Sequence, residues 1–189
     1  MIPVGYMAKR VEKAVWWKTD CVKDIYSVAG CTSKFFCDYV HYWKHNGFWF
    51  FDSPYIIQDL ASSEEMDLIG TTFFYYECYE LQYDMEHSKW TSFEPEKSFP
   101  TNVEIPDEKH LHGYDIVSFS GQTTPECSPL SCNGLAAHVS TNEHCLLESF
   151  DEAKQLLETN EIKDCEPGPY RIFAVYGIKA PNPSAHTTA

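Results

Sequence analysis

Asn142-Glu143-His144-Cys145-Leu146-Leu147-Glu148-Ser149 has a counterpart 96 positions earlier, Asn46-Gly47-Phe48-Trp49-Phe50-Phe51-Asp52-Ser53. Each block opens on asparagine, and the apolar pair Phe50-Phe51 or Leu146-Leu147 is followed by an acid and a serine. The parallel extends from Asn46 to Leu60 and from Asn142 to Leu156. Further out, Asp24-Ile25-Tyr26-Ser27-Val28-Ala29-Gly30 matches Asp115-Ile116-Val117-Ser118-Phe119-Ser120-Gly121 at four of seven positions, with an offset of 91. Phe73 to Leu81 pairs with Tyr170 to Ile178 at an offset of 97. A period this long implies duplication of a domain half, because solenoid repeats run about 20–50 residues. The expected fold class is α+β: two pseudo-repeated β-α-β-α-β halves with mixed or antiparallel sheets covered by helices.

Local signals fill in each half. Asp24 to Ala29 is a short β-rich run, and Ser33 after it can cap a helix. That helix carries Phe36, Tyr39, Val40 and Trp43 on one face and Lys34, Asp38, His41 and His45 on the other, and Gly47 stops it. Phe48 to Phe51 is short and apolar enough for a buried strand. Ser53-Pro54 starts a second helix, with serine at the cap and proline in the first turn. Residues 71–85 lack glycine and proline and alternate in polarity, which predicts a long strand with a bend. In the second half a strand is expected at Tyr114 to Phe119 and a weakly signalled helix within Ser131 to His138. A clear helix starts at the capping box of Ser149 and Glu152, with Phe150, Ala153, Leu156 and Leu157 facing inward. Glu166-Pro167-Gly168-Pro169 reads as a turn before a closing strand, Tyr170 to Ile178. The expected organisation is 1–85 for the first half, 86–113 for a connector broken by Pro95, Pro100 and Pro106, and 114–179 for the second half. The stretch 180–189 is expected to be a frayed tail.

Composition bounds the partners. The chain has 189 residues, 43% hydrophobic and 15% aromatic, with 14 Lys and Arg against 28 Asp and Glu, a net charge of −14. Such a surface repels phosphate backbones and anionic lipid, so neither nucleic acid nor a membrane is an expected partner. A basic protein or a cation would be attracted. No apolar run reaches the roughly 20 residues that span a bilayer. Met1 to Arg10 lacks the pattern of a signal peptide. The expected location is therefore the cytoplasm, where the eight cysteines would stay reduced.

The densest chemistry lies in Cys127-Ser128-Pro129-Leu130-Ser131-Cys132-Asn133-Gly134, followed by His138, His144 and Cys145. Cys127, Cys132, His138 and His144 overlap the ligand spacings of structural zinc sites, at the permissive edge of that pattern. The preferred reading is a tight loop whose small polar residues bond their own backbone while the thiols pack inward. Nucleophilic chemistry would fall to Cys127, Cys132 or Cys31, the last at a strand-to-helix junction where a thiolate is favoured. Ser131, Asn133 and His144 are the candidate binding residues. Asp38, His41 and His45 share a helix face but lack the glutamate of HExxH, and a solvated face explains them better. There is no GxGxxG after a strand, no Walker motif and no GxSxG elbow.

Glu126-Cys127-Ser128-Pro129-Leu130-Ser131-Cys132-Asn133, Asn142-Glu143-His144-Cys145-Leu146 and Glu166-Pro167-Gly168-Pro169-Tyr170 together resemble a pattern in a family of small uncharacterised bacterial proteins. The resemblance covers about the last third of the chain and implies a bacterial source and a self-contained C-terminal half. It carries no function, cofactor or site residue. Two functional classes remain. One is an acidic, non-enzymatic binding or regulatory protein of immunity or inhibitor type, acting on a basic protein partner. The alternative is a small thiol- or metal-dependent enzyme using the Cys127–Cys145 region.

Overall fold

The computed structural model describes residues 1–13, 21–30, 34–35, 46–94, 100–119, 125–162 and 164–181. Along the chain come β1 (Ile2–Arg10), β2 (Glu12–Lys13), β3 (Asp24–Ile25), β4 (Lys34–Phe35) and α1 (Pro54–Ser63). Then follow β5 (Thr72–Cys78), β6 (Leu81–Asp84), β7 (Lys89–Ser92), β8 (His110–Ser118), α2 (Phe150–Glu158) and β9 (Tyr170–Ile178). The main sheet runs β4-β1-β5-β9-β8, and all its described pairings are antiparallel. The β6–β7 hairpin joins beside the start of β9 through Tyr83 and Tyr170. β2 and β3 form a separate ribbon. The class is α+β, with antiparallel strands covered by helices.

The same construction occurs at both flanks of the sheet. Strand β1 is irregular between Pro3 and Gly5, and β8 between Leu111 and Gly113. Gly5 (φ +125°) and Gly113 (φ +143°) both take positive φ. A Cβ would lie 2.5 Å from the Phe51 carbonyl oxygen at Gly5, and 2.6 Å from the Leu147 carbonyl oxygen at Gly113. Only glycine lets the following turn come this close to the strand. Asparagine fastens each turn. Asn46 donates to the Val4 carbonyl (2.8 Å) and accepts from the amides of Phe48 (3.1 Å) and Phe50 (3.3 Å). Asn142 donates to the His112 carbonyl (2.6 Å) and accepts from the amides of His144 (2.9 Å) and Leu146 (3.1 Å). Trp49 and Cys145 each have φ 62°. Paired backbone bonds then join Tyr6 to Phe51 and Tyr114 to Leu147.

A serine follows each turn and starts a helix. Ser53 accepts from the Tyr55 amide, with Pro54 in the first turn of α1. Ser149 and Glu152 form a capping box on α2, so two otherwise unpaired amides are satisfied reciprocally. Ala153, Leu156 and Leu157 of α2 are buried against the sheet. In the centre Tyr76 pairs with Val175; these two also face Gly5 and Gly113 in the outer pairings. The β5–β9 pairing thus lies between the two glycine positions. One core gathers Tyr6, Phe50, Phe74, Tyr76 and Phe173; the other gathers Ile116, Leu147, Leu157, Tyr170 and Ile172.

Several expectations need correction. Asp24–Ile25 lies in the small ribbon, while Asp115 is central in β8, so the match between Asp24–Gly30 and Asp115–Gly121 does not relate equivalent strands. It is β1 that, like β8, carries a glycine bulge and pairs with a central strand. Lys34–Phe35 pairs with β1 as a strand instead of starting a helix. The remainder of that expected helix, with Asp38, His41 and His45, lies outside the described residues. Phe48 to Phe51 is a turn held by Asn46, because a side-chain amide takes the hydrogen bonds a neighbouring strand would have supplied. The long strand over 71–85 is two strands, and at the break the Tyr79 amide bonds the Ile172 carbonyl (2.8 Å). The stretch expected as a connector, 86–113, contains β7 and the beginning of β8. Within Ser131 to His138 the helix is a single 3-10 turn, Leu135–Ala137. Of the expected tail, 182–189 lies outside the described residues.

Candidate functional site

The thiol-rich turn is docked on β8 by Ser128 and by a backbone bond at Cys127. Ser128 donates to Asp115 Oδ1 (2.6 Å), and the Cys127 carbonyl accepts from the Ser118 amide (2.8 Å). Inside the turn the Cys132 amide reaches the Ser128 carbonyl (2.7 Å), and the Leu135 amide reaches Pro129 (3.0 Å). The Cys127 thiol donates to Asn133 Oδ1 (3.6 Å). Burial, followed by the charges of Glu166 and Asp115, pushes this thiol up to about 12. Almost none of it is thiolate near neutral pH, so it is a poor nucleophile and a poor metal ligand.

Cys132 is disulfide-bonded. The expectation that all eight cysteines are reduced therefore fails here, and Cys132 is neither nucleophile nor ligand. Cys31 lies outside the described residues. Ser131 is buried, while Asn133 and His138 are exposed. His144 belongs to a different cluster. No grouping of three His, Cys, Asp or Glu able to hold a metal occurs among the described residues. The sequence placed these donors in one short stretch, but the structure gives them separate neighbours.

Sequence reasoning missed a layer of ionisable groups on the face of the sheet beneath residues 21–30. Asp115, fully buried, accepts from the Val28 amide (2.7 Å) and from Ser27 Oγ (3.1 Å). Burial raises its carboxyl pKa against these hydrogen bonds and the charge of Lys9. Lys9, also buried, donates to the carbonyls of Ser27, Val28 (3.1 Å) and Ala29 (3.2 Å). Upstream, the Lys23 and Asp24 amides bond the Glu143 carbonyl, and the Tyr26 amide bonds that of His144 (3.1 Å). The Tyr26 ring stacks on His144 at 4.0 Å. A charged residue within an otherwise apolar strand, as at Lys9 and Asp115, was the available signal.

Arg171 is buried at the far end of this face. Its guanidinium lies between Phe93 (3.1 Å) and Phe119 (3.7 Å) and donates once, to Gln82 Oε1 (3.3 Å). Nε and Nη1 have no hydrogen-bond partner among the described residues. Burial brings its pKa down to about 10, still leaving it charged; the aromatic faces supply part of the missing solvation.

The stretch from Glu148 to Glu166 is acidic, with seven carboxylates and two lysines. Helix α2 has no basic residue in its last turn, and its negative C-terminal end runs into Glu158, Glu161, Asp164 and Glu166. Like charges there disfavour the isolated chain and favour an incoming cation. Lys154 lies 3.8 Å from Glu158, which also accepts from Trp90 Nε1 (2.7 Å); Lys163 lies outside the described residues. Two grooves take lining residues from this stretch. One of about 280 Å³ is lined by His138, Val139, Glu152, Leu156 and Glu161. The other, of about 400 Å³, is lined by Asp84, Glu86, Ile162, Pro167 and Pro169. No family model, curated relative or solved structure matches the chain.

Proposed function

We propose that this chain is an acidic, non-enzymatic binding or regulatory protein of the inhibitor or immunity type, whose partner is a basic protein. The observation that carries the reading is the run of exposed carboxylates Glu158, Glu161, Asp164 and Glu166 at and beyond the negative end of α2, next to a groove lined by Glu152 and Glu161 and another lined by Asp84 and Glu86. A basic side chain entering either groove meets carboxylates and apolar walls together, the combination that gives an interface both steering and contact area. The thiol- or metal-dependent alternative loses its main support with Cys132 disulfide-bonded and the Cys127 thiol held protonated. We further read the two flanks of the sheet as copies of one ancestral half, on the strength of the matched glycine and asparagine contacts. A bacterial source remains part of the proposal, through the motif resemblance in the C-terminal third. The cytoplasmic location expected from the sequence stands against the disulfide at Cys132, which fits an oxidising setting.

The test is capture of partners from the source cell at about 0.1 M and about 1 M salt, where the screening length falls from about 10 Å to about 3 Å. The reading expects a basic protein retained at the lower salt and released at the higher. Recovery of only neutral or acidic proteins, or salt-independent capture, would count against it.

A further inference from the structure

The ionisable layer under residues 21–30 is not required by the sheet. The matched backbone positions at the opposite flank show what the scaffold accepts there. By register from Gly5 and Gly113, His112 stands where the first half has Val4, and Asp115 where it has Met7. Counted from Asn46 and Asn142, His144 stands where the first half has Phe48. Apolar side chains serve at all three places in one half, while titratable ones in the other contact residues 23–28.

We propose that residues 23–26 form an acid-released latch, closed by the rings of Tyr26, His144 and His112 and opened when the two histidines take up protons. Tyr26 lies flat on His144 at 4.0 Å, and His112 meets both rings edge-on at 4.9 Å. His144 Nδ1 is buried without a hydrogen-bond partner. A second positive charge within this cluster has no carboxylate at its centre to receive it. The surrounding charges belong to four segments. Lys23 and Asp24 lie on the latch, and Lys23 pairs with Glu143 at its edge. Glu143 Oε1 is 3.9 Å from His144 Nε2. His110 stands 5.1 Å from His112 on β8, and Lys109, Lys179 and Glu108 line the groove beside it.

Burial, then the charges of His144 and His110, depress His112 to about 4. Burial also lowers His144, against the pull of Glu143 and Asp24. A histidine depressed below its ordinary value of about 6.5 binds fewer protons closed than open. Its contribution is therefore complete above about pH 6.5 and is lost as pH falls toward 4. Asp115 titrates in the opposite sense, its carboxyl being raised, so acidification does not loosen residues 27–28 through it. Glu143 is lowered by Lys23; protonating it would also release Lys23, but only below the ordinary carboxylate range. The latch therefore opens at its Lys23–Tyr26 end while Lys9 and Asp115 keep hold of Ser27 to Ala29. Opening removes Tyr26 from Phe74, against which it packs at 5.0 Å, and bares that part of the apolar face.

Hydrogen-exchange protection, corrected for intrinsic rates, tests this on the full chain at pH 7 and pH 5. The amides of Lys23, Asp24 and Tyr26 should lose about tenfold in protection at pH 5, half or less of the limit set by full depression of His112, given its partial exposure. Val28, bonded to Asp115, and Tyr114 in β8 should be unchanged. His144→Phe and His112→Val, which install the first-half residues, should abolish the difference between the two pH values. His112→Gln provides a non-titrating check if either apolar variant folds poorly. Unaltered protection of Tyr26 at pH 5, parallel loss at Val28 and Tyr114, or an undiminished pH effect in the variants would each overturn the latch.

Discussion

Replacing Gly113 by alanine should be among the most damaging single-methyl additions in this chain. The backbone there has φ +143°, and the new Cβ would lie 2.6 Å from the Leu147 carbonyl oxygen, 2.9 Å from Leu146 Cβ and 3.0 Å from Asn142 Nδ2. The first of these is backbone and the third holds the turn, so neither yields cheaply. Forcing an L-residue into this region costs about 1–3 kcal/mol, and overpacking a rigid neighbour about 1–3 more. A central value of about 4 kcal/mol is a large part of the roughly 5–15 kcal/mol that holds a domain folded. For a chain of this length it corresponds to a fall in Tm of about 8–16 °C. Gly70→Ala is the internal control. It too has positive φ (+75°) but nothing within 4 Å of the added atom, so only the backbone cost of about 1–2 kcal/mol applies. Gly5→Ala, with its Cβ 2.5 Å from the Phe51 carbonyl oxygen, should match Gly113→Ala. Thermal unfolding of the three variants by circular dichroism decides the matter. If Gly113→Ala were no worse than Gly70→Ala, the close approach of turn to strand would be refuted.

Asn142→Ala deletes one donor and two acceptor contacts and leaves the His112 carbonyl and two amides of the turn unpaired. A loss of about 2–4 kcal/mol is expected, with a similar loss for Asn46→Ala, measured by urea unfolding. Arg171→Met removes a buried cation, two of whose nitrogens have no hydrogen-bond partner among the described residues, at the cost of its aromatic contacts. Stability should be unchanged or higher, and a drop in Tm beyond about 6 °C would contradict the claim that the cation is poorly compensated. Alkylation of the native, unreduced protein near neutral pH should label the exposed Cys21 and spare the buried Cys78 and Cys145. Mass analysis showing rapid modification of Cys127 would contradict a thiol pushed up to about 12.

The likeness between Asn142–Ser149 and its counterpart from Asn46 was legible, and so were the helix starts at Ser53 and Ser149, because helix caps act locally. The turns that Asn46 and Asn142 fold were not, since a short apolar run such as Phe48–Phe51 fits a buried strand equally well. Nor were the outer strands. Gly5 and Gly113 mark equivalent bulges, but a lone glycine in a strand says only that some backbone comes close, and which one depends on residues far along the chain. The likeness of Asp24–Gly30 to Asp115–Gly121 is one of residue identity alone, the first beginning in the β2–β3 ribbon and the second in β8. Cys127, Cys132 and His144 were noticed for their chemistry. Their partners are set by tertiary neighbours, such as Asp115 beneath Ser128 and Tyr26 on His144, which spacing along the chain does not encode. The acid content was visible from the start. Its concentration beyond α2 required knowing where that helix ends and what lies on either side.

Neutralising the carboxylates at and beyond the end of α2 tests the functional account most directly. A variant carrying Glu158→Gln, Glu161→Gln, Asp164→Asn and Glu166→Gln should lose the basic partner captured at about 0.1 M salt. A second variant with Glu64→Gln, Glu65→Gln and Asp67→Asn, exposed carboxylates following α1, should retain it. Equal retention by both, or loss from the second variant alone, would contradict a docking surface at the end of α2.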